Sequence, residues 1–344
     1  MLFKKMKKKA LILGITGQDG SYLAELLIKK KYQVHGIKRR TSTPNTSRID
    51  HIFDSINFNN KKLMMHHGDL SDTGSLNRII NSINPDEIYN LAAQSHVKIS
   101  FQVPEYTSDV NALGPLRLLE IIRHYKRKKI RFYQASSSEM FGKTKPPQNE
   151  TTIFQPRSVY AISKIFAFNS VVHYREAYGV HASNGILFNH ESPRRGVNFV
   201  TRKIIQGLLR IKKGNQKILT LGNLYSKRDW GHAKDYVESM WKILQHNKPD
   251  DFVIATNKSY SVKDFVNISA KKIGFKIKWK NKGLKEIGID EITNKKIINV
   301  NKKYFRETEV DNLIGDFTKA KKILKWKPKN SLNQLIDDMI QNEE

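Results

Sequence analysis

The chain has 344 residues, of which 39% are hydrophobic and 27% are charged, and this globular composition excludes collagen-like, low-complexity and wholly disordered proteins. It contains no cysteine, so disulfides, cysteine-ligated metal centres and a thiol nucleophile are also excluded. The formal net charge of +29 arises from 61 Lys and Arg against 32 Asp and Glu, and a charge this large raises the question of nucleic-acid binding.

The cations are mostly lysines, 45 against 16 arginines, and they are scattered over residues 4–9, 126–129, 271–285 and 319–329. Nucleic-acid-binding surfaces usually combine arginines with aromatic residues. We therefore interpret the charge as a solvated lysine-rich surface, which is compatible with an acidic substrate, and we expect no specific nucleic-acid partner.

The N-terminal residues resemble an export signal only superficially. Basic residues at 4–9 precede an apolar run that ends after about six residues, whereas a secretory signal needs ~7–15. We expect a solvated basic tail before a first strand. Because no run of 18 apolar residues occurs, we also expect no membrane span and a cytoplasmic location.

The first half of the chain alternates predicted strands with predicted helices. Strands are predicted at residues 9–14, 33–38, 63–67, 87–91, 131–136 and 182–187. Helices are predicted at residues 21–31, 74–83, 112–125 and 160–178. This alternation predicts an α/β fold of the Rossmann type, with a doubly wound parallel sheet and helices on both of its faces.

A glycine-rich turn, GITGQDG at residues 14–20, lies between the first predicted strand and the first predicted helix. Such glycines allow a tight turn whose backbone N–H groups contact a pyrophosphate at the helix N-terminus. After the second strand, Arg39 and Arg40 stand where an NAD site would place an acidic residue. Cations suit a 2′-phosphate, so we predict NADP; the alternative is that both arginines continue the basic surface.

Tyr160 and Lys164 are four residues apart and therefore share one face of a predicted helix. A lysine beside a tyrosine is expected to stabilise the phenolate and lower its pKa, which makes it a base for an alcohol. The same spacing occurs at Tyr125 and Lys129. Of the two tyrosines, only Tyr160 comes after Ser137, which ends the fifth predicted strand. The active-site residues of parallel sheets lie at such strand ends. Serine, tyrosine and lysine together predict a hydride-transfer site.

Glu139 follows Ser137 by two residues and suggests a second kind of chemistry. A simple alcohol dehydrogenase has no use for a carboxylate at this position. A base beside a ketone can remove the proton alpha to that ketone. The alternative is a solvated loop glutamate.

The second half of the chain has shorter predicted elements and many lysines. Residues 190–196 are polar and are predicted as a loop, with helices at 199–212 and 261–273 and a strand at 252–255. We predict a dinucleotide-binding domain over residues 1–188, to which segments near 230–260 return. Residues 189–344 are predicted to form a smaller, interleaved C-terminal domain.

Several runs of residues carry a family resemblance. They are GITGQDGSYL at 14–23, VHGIKRR at 34–40, GDLSD at 68–72, FNHESPRRG at 188–196 and RDWGHAKDY at 228–236, with YFR at 304–306 and WKP at 326–328. On these runs, over nearly its whole length, the sequence resembles the GDP-mannose 4,6-dehydratase family of extended short-chain dehydrogenases/reductases. The runs at 189–196 and 228–236 separate this family from generic sugar-nucleotide epimerases.

The resemblance implies roles for individual residues. It implies a tightly bound NADP, regenerated in each turnover and held by Gly14, Ile15, Thr16, Gly17, Gln18, Asp19, Arg39, Asp69, Leu70, Leu91, Ala92, Ala93, Gln94, Ser95, Tyr106, Lys164, His190 and Arg195. It implies GDP-mannose as the substrate of the C-terminal domain, held by Ser95, Glu139, Asn189, Lys203, Arg228, Arg306 and Glu309. The implied catalytic residues are Ser137, Glu139, Tyr160 and Lys164, without a metal.

The implied reaction converts GDP-mannose to GDP-4-keto-6-deoxymannose and water, the first step toward deoxysugars of the GDP-fucose or GDP-rhamnose type. A homotetramer is implied, or a dimer, in which the loop after Arg39 and Arg40 reaches a neighbour's cofactor. The alternatives are another sugar-nucleotide 4,6-dehydratase or 4-epimerase of this fold and, more distantly, a non-catalytic nucleic-acid-binding protein.

Two positions depart from the family pattern. Ser137 stands where the family usually has threonine, so the hydroxyl is kept but the methyl group that restricts its rotamer is lost. Glu307 stands in place of the usual proline, which bears on the rigidity of the local loop. Neither departure changes the expected activity.

We predict that DNA binding by this chain is weak, independent of sequence and lost at moderate salt, because a dispersed charge acts only through counterion release. Fluorescence anisotropy with two unrelated duplexes at rising salt concentrations measures this. A complex that prefers one duplex and survives physiological salt would contradict the prediction.

Overall fold

The computed structural model describes residues 7–53 and 63–343, so residues 4–6 of the predicted basic tail lie outside the described residues. The strands are β1 (Lys9–Leu13), β2 (Gln33–Lys38), β3 (Leu63–His67), β4 (Glu87–Asn90), β5 (Arg131–Ser137), β6 (Ala182–Leu187), β7 (Asn189–Glu191), β8 (Leu219–Leu221), β9 (Lys227–Arg228), β10 (Trp230–His232), β11 (Asp251–Ile254), β12 (Tyr260–Ser261), β13 (Ile277–Lys280), β14 (Ile287–Asp290) and β15 (Lys295–Val300). The α-helices are α1 (Gln18–Lys29), α2 (Thr73–Ile83), α3 (Pro104–Ser108), α4 (Gly114–Arg123), α5 (Val159–Tyr178), α6 (Val200–Lys212), α7 (Ala233–Gln245), α8 (Val262–Ile273), α9 (Thr318–Leu324) and α10 (Leu332–Gln341).

The main sheet has seven strands in the order β11-β6-β5-β4-β1-β2-β3. All of its neighbouring strands are parallel. The order 3-2-1-4-5-6 is that of a Rossmann-type doubly wound fold, in which the direction of winding reverses between β1 and β4. The predicted fold class is therefore confirmed. Ligands of such sheets bind outside the carboxyl ends of the strands.

Helices cover both faces of the main sheet, and the side chains of β1 alternate between the two cores. Ile12 packs into the core beneath α1 and α7, whereas Leu11 and Leu13 pack into the core beneath α2, α4 and α5. A strand covered on both faces is apolar along its length, and this explains the continuous apolar run in the sequence. Among the described residues, no helix has both the length and the apolarity that crossing a membrane requires.

The C-terminal part of the chain forms a smaller sheet of four strands, β13-β14-β15-β8. Its core, which includes the buried Phe265 and Ile298, lies between this sheet and α6, α8 and α10. Two later segments return to the part of the structure built on the main sheet. Helix α7 packs against α1, and β11 pairs with β6 as an edge strand of that sheet. The division into a cofactor-binding part over 1–188 and a mainly sugar-binding part over 189–344 concerns function and stays a prediction.

The structure corrects two predicted boundaries. The prediction of a loop over 190–196 is wrong for its first two residues, because β7 pairs in parallel with β10. The polar side chains of His190 and Glu191 are compatible with a buried strand because each has a charged or hydroxyl partner. The first helix begins at Gln18 rather than at residue 21, since the glycine-rich turn itself provides its first turn.

Candidate active site

A cavity of about 910 Å³ opens at the carboxyl ends of β4, β5 and β6 and extends to the C-terminal sheet. Its volume lies within the range of ~300–1,000 Å³ that is typical of small-molecule sites. The sequence-predicted residues in its wall are Asp19, Leu91, Ala93, Ser95, Ser137, Glu139, Tyr160, Lys164, Asn189, His190, Arg195, Lys203, Arg228, Arg306 and Glu309.

The other predicted cofactor residues lie along the same edge of the main sheet, outside this wall. Arg39 follows β2, Asp69 and Leu70 follow β3, and Tyr106 lies in α3. Arg39 Nη1 donates a hydrogen bond of 2.8 Å to the Tyr106 hydroxyl, so the structure joins these two residues directly. The Asp69 carboxylate instead accepts hydrogen bonds from Ser71 and closes a local turn. The turns after β1 and β4 hold Gly14, Ile15, Thr16, Gly17, Gln18, Ala92 and Gln94.

The turn between β1 and α1 allows a ligand to approach the backbone closely. Gly14 has a φ of +79°, a conformation that glycine adopts without steric cost. A Cβ atom at Gly20 would lie 2.3 Å from the carbonyl oxygen of Gly14. Gly17 precedes α1 as its N-cap and provides no capping side chain, so the N–H groups of the first helical turn are available to a ligand. These features fit the pyrophosphate of a dinucleotide.

Asp19 and His190 form a partly buried ion pair between this turn and β7. Asp19 Oδ2 lies 2.7 Å from His190 Nε2, and the carbonyl oxygen of Phe188 lies 2.7 Å from Nδ1. Both ring nitrogens face acceptors, an arrangement that a doubly protonated imidazolium satisfies. Burial alone would lower the pKa of His190, but the charge and hydrogen bond of Asp19 outweigh burial and raise it. Burial would raise the pKa of Asp19, but His190 and Arg195 hold it below its usual range.

Tyr160 and Lys164 lie near the start of α5, and Ser137 is the last residue of β5. Lys164 Nζ donates a hydrogen bond of 2.8 Å to the Ala135 carbonyl and lies 5.9 Å from the centre of the Tyr160 ring. Burial lowers the pKa of Lys164 to about 8. The structure thus brings the predicted serine, tyrosine and lysine to one cavity. Tyr125, of the competing pair, lies outside this wall.

The prediction that Lys164 lowers the pKa of Tyr160 is wrong for this arrangement. Burial raises the pKa of Tyr160, and a hydrogen bond with Ser137 offsets burial only in part. Lys164 Nζ donates its one described hydrogen bond to the Ala135 carbonyl, so no direct hydrogen bond from Lys164 to the phenol offsets burial.

Glu139 lies in the short helical turn after β5 and is 7% exposed, so the alternative of a solvated loop glutamate is wrong. Its Oε1 accepts a hydrogen bond of 3.2 Å from Arg306 Nη1. Burial would raise the pKa of Glu139, but the charges of Arg306 and Arg228 outweigh burial and lower it. The carboxylate is therefore ionised at neutral pH and can accept a proton.

Two further cations face the cavity. Arg228 donates a hydrogen bond of 2.7 Å to the Val310 carbonyl and lies 3.6 Å from Glu309. Lys203 Nζ lies 3.6 Å from the centre of the Tyr304 ring, and burial lowers the pKa of Lys203. Together with Arg306 they form a cationic wall, and guanidinium and ammonium groups of this kind bind phosphate oxygens.

Asn189 and Ser95 complete the predicted substrate residues in the wall. The Oδ1 atom of Asn189 is buried without a hydrogen-bond partner, and a buried acceptor of this kind is suited to a ligand donor. Ser95 lies in the loop after β4. Within residues 7–53 and 63–343, no group of three or more His, Asp or Glu side chains is arranged to hold a metal ion.

Comparison with known proteins identifies the family. The family model described as GDP-mannose 4,6 dehydratase matches residues 11–339. The chain belongs to the GDP-mannose 4,6-dehydratase family. The predicted resemblance is therefore confirmed.

Members of this family are similar in sequence to this chain along nearly its whole length. The GDP-mannose 4,6 dehydratase of Drosophila melanogaster is 54% identical over 336 residues, which are 97% of this chain and 85% of that protein. The GDP-mannose 4,6-dehydratase of Yersinia enterocolitica is 54% identical over 345 residues, covering 97% and 93% of the two chains.

A solved structure of lower identity is similar in fold. The UDP-glucuronic acid 4-epimerase from Bacillus cereus, in complex with UDP-glucuronic acid and NAD, superposes with a TM-score of 0.79. The two chains are 21% identical, over 97% of this chain and 98% of that one. This likeness shows the shared fold and does not distinguish a dehydratase from an epimerase.

Arg48 supports the phosphate turn, although no sequence motif pointed to it. Arg48 Nη1 donates a hydrogen bond of 3.3 Å to the Thr16 carbonyl, and its Nε donates one of 2.8 Å to the Arg194 carbonyl. It therefore holds the turn after β1 to the segment after β7. No spacing rule connects these positions. The one available signal is that Arg48 lies in the loop after Arg40, which the family resemblance assigns to cofactor binding.

We predict that the stability contributed by the Asp19–His190 pair depends on pH in both directions. It is greatest between the ordinary pKa values of 3.8 and 6.5, and it is lost as pH rises through the raised pKa of His190 or falls through the lowered pKa of Asp19. His190→Gln should cost up to about 3–5 kcal/mol within that window. The difference in Tm from the unsubstituted protein should shrink well above pH 6.5.

Thermal unfolding of both proteins across this pH range measures the effect. His124→Gln is the matched control, because His124 is exposed and its contact with Glu120 is 3.5 Å long. The control should change Tm little at any pH. A difference for His190→Gln that stays constant with pH would contradict the imidazolium assignment.

Proposed function

We propose that the chain is a GDP-mannose 4,6-dehydratase, a carbon–oxygen lyase that converts GDP-α-D-mannose to GDP-4-keto-6-deoxy-D-mannose and water. The observation that carries this proposal is the presence of Glu139 in the same cavity wall as Tyr160, Lys164 and Ser137. Oxidation of an alcohol needs one group that accepts the hydroxyl proton, and removal of a carbon-bound proton needs a second base. The relatives that carry this name are 54% identical over nearly the whole chain, which supports the same reaction here.

In the first half of the reaction Tyr160 accepts the proton of the C4 hydroxyl group. Ser137 offers a second hydrogen bond to that hydroxyl from the end of β5. When bound, NADP would supply the hydride-transfer chemistry at C4 and C6, and residues such as Asp19, Arg39 and Arg195 would hold it. Burial raises the pKa of Tyr160, and the Ser137 hydroxyl group and the charge of Arg195 partly offset burial.

In the second half Glu139 removes the proton at C5, which the C4 ketone has made acidic. The C6 hydroxyl group then leaves with this proton as water, and C5 takes up a proton from solvent when the hydride arrives at C6. Glu139 is suited to this step because it is ionised and buried, so no bulk water competes for the proton. The net change is the loss of one water molecule without net oxidation, which is the reason for the hydro-lyase class.

The cationic wall is proposed to hold the diphosphate of the sugar nucleotide. Arg228, Arg306 and Lys203 line the cavity, and Glu309 interacts electrostatically with both arginines. Guanidinium groups bind phosphate oxygens in pairs, which orients the sugar as well as attracting it. Asn189 offers the buried acceptor for a donor on the same ligand.

Two of the three alternatives explain fewer of these features, and the third differs in its substrate. A 4-epimerase of the same fold does not need a buried carboxylate beside Ser137. Another nucleotide-sugar 4,6-dehydratase would use the same chemistry and differ in the base that it binds. A nucleic-acid-binding protein would present its cations on an open surface, whereas Arg228 is only 6% exposed within the cavity wall.

We further propose a homotetramer, or a dimer, in the cytoplasm. Ile162 and Phe166 lie one turn apart on α5 and are 57% and 43% exposed, so this helix offers an apolar face to a second copy. The loop after Arg39 is proposed to reach a neighbour's cofactor. The parts at 1–188 and 189–344 are proposed to hold mainly the cofactor and the GDP-sugar, respectively.

We predict that the protein binds NADP at least about tenfold more tightly than NAD. Arg39 stands where an acid would contact a ribose hydroxyl, and a charge-assisted hydrogen bond to phosphate contributes roughly 1.5–3 kcal/mol. Arg39→Glu should weaken NADP much more than NAD in calorimetric titrations. Arg127→Glu, with the same charge change on the far surface, is the control. Equal affinities in the unsubstituted protein would refute the preference.

We predict that Glu139→Gln stops the reaction after oxidation of the sugar. The amide keeps the shape of the side chain but removes the base, so reduced nicotinamide should accumulate in a single turnover. Tyr160→Phe should show no such absorbance, because the first proton transfer fails. With deuterium at C4 of GDP-mannose, the product should carry the label at C6, as mass spectrometry and NMR measure.

Two outcomes would count against this assignment. Loss of the C4 label to solvent would exclude internal hydride transfer. Normal turnover by Glu139→Gln would exclude Glu139 as the C5 base, and Tyr160 would then be the candidate for both proton transfers. Incubation with other nucleotide sugars, under the same conditions, tests the competing dehydratase and epimerase functions.

A further inference from the structure

The segment that carries Arg306 and Glu309 lines the cavity near the carboxylate of Glu139. Arg306 reaches this carboxylate from 167 residues away in the chain, with Nη1 3.2 Å from Oε1. The Glu139 side chain is 9% exposed and that of Arg306 is 28% exposed. The ion pair is therefore largely shielded from water, where a charge interaction is stronger than at the surface.

This contact distinguishes the two oxygen atoms of the Glu139 carboxylate. Oε1 accepts the hydrogen bond from Arg306, whereas no described residue donates one to Oε2. The backbone N–H of Glu139 donates a hydrogen bond of 3.2 Å to Ser137 Oγ, which fixes the base beside the other catalytic residues. One oxygen is thus anchored and the other is available to take a proton.

Arg306 and Arg228 are not equivalent in this arrangement. Arg228 donates to two backbone carbonyls and lies 3.6 Å from Glu309, so its guanidinium group is held by the protein. Arg306 has Glu139 as its one hydrogen-bond acceptor within the described chain. Its other N–H groups are free to contact a second anion while Nη1 holds the carboxylate.

We propose that Arg306 is a positioning residue for the elimination step, which holds Oε1 of Glu139 so that Oε2 removes the C5 proton. This inference rests on the proposed dehydratase function and adds to the proposed contact between Arg306 and the diphosphate. The C5–H bond breaks as its proton moves to Oε2, and its electron pair forms the C5–C6 double bond. The C6–O bond breaks, and the departing hydroxide takes the proton from Oε2, so water leaves and the carboxylate is restored.

The charged groups around Glu139 predict the sign of a pH effect. Arg306 and Arg228 both favour its ionised form, while Tyr160, the other titratable neighbour, is neutral until it is deprotonated. Burial raises the pKa of Glu139, and the charge of Arg306 normally offsets this effect. Removal of Arg306 therefore raises the pKa of Glu139. Because only the carboxylate acts as a base, the acid limb of the elimination rate moves to higher pH, by about 1 unit.

The test compares Arg306→Gln, Arg306→Lys and the control Lys203→Gln at saturating GDP-mannose. Single-turnover formation of reduced nicotinamide reports oxidation, and release of deuterium from GDP-mannose labelled at C5 reports elimination. Arg306→Gln should slow elimination about tenfold or more and shift its acid limb, with oxidation little changed. Arg306→Lys keeps the charge and should restore much of the rate and the pH profile. Lys203→Gln removes a cation of the same proposed binding wall that does not contact Glu139, so it should weaken substrate binding without moving the acid limb of elimination.

A second measurement does not depend on the reaction. NMR of protein with 13C-labelled glutamate, in which Glu139→Gln assigns the resonance, gives the pKa of Glu139 directly. It should rise in Arg306→Gln and stay unchanged in Lys203→Gln, while thermal unfolding confirms that each variant is folded.

An unchanged pKa, or an Arg306→Gln variant that raises KM without altering elimination or its pH profile, would overturn the positioning role. Failure of the unsubstituted protein to produce the 4-keto-6-deoxy sugar would refute the proposed function instead. In that case the NMR titration would still decide whether Arg306 controls the carboxylate.

Discussion

The partly buried ion pair between Asp19 and His190 joins the phosphate turn of the main sheet to the segment that leads into the C-terminal part. The same junction contains Gln18, whose Nε2 donates to the His190 carbonyl and whose Oε1 accepts from Ser192. The His190 ring also stacks on Tyr236 of α7, with ring centres 4.5 Å apart. The proposed cofactor and sugar sites therefore depend on one shared set of contacts. Any movement of β7 would move residues of the cofactor site and residues of the sugar site together.

A second constraint is that nearly every buried charge in the cavity has an opposite partner. Glu191 is paired with Arg195, Glu139 with Arg306, and Arg228 lies near Glu309. An unpaired charge at such positions would cost several kcal/mol, so the pairs are a condition for placing cations there. Lys164 and Lys203 are the exceptions, since a backbone carbonyl accepts a hydrogen bond from Lys164 and an aromatic ring lies beside Lys203. This arrangement holds cationic groups in position for an anionic ligand, and each group has a partner within the protein.

The fold and the chemistry have separate origins in this protein. The parallel sheet brings the carboxyl ends of its strands to one edge, and a 4-epimerase with 21% identity has the same architecture. The proposed dehydration depends on residues placed on that edge, above all on Glu139 in the short turn after β5. Its burial converts an ordinary loop glutamate into a base that is screened from water, which spacing in the sequence does not reveal.

The sequence by itself determined the features that depend on neighbouring residues. Apolar periodicity predicts the sheet and its helices, glycine spacing predicts the turn at 14–20, and a four-residue interval places Tyr160 and Lys164 on one helical face. Only the tertiary structure decided which distant groups meet, such as Glu139 with Arg306, 167 residues apart. It also reversed the expected pKa shift of Tyr160, because burial disfavours the charged phenolate and thereby raises the pKa. The distant contacts and the pKa shifts depend on how segments far apart in the chain pack together and exclude water. A local sequence pattern contains no information on that packing.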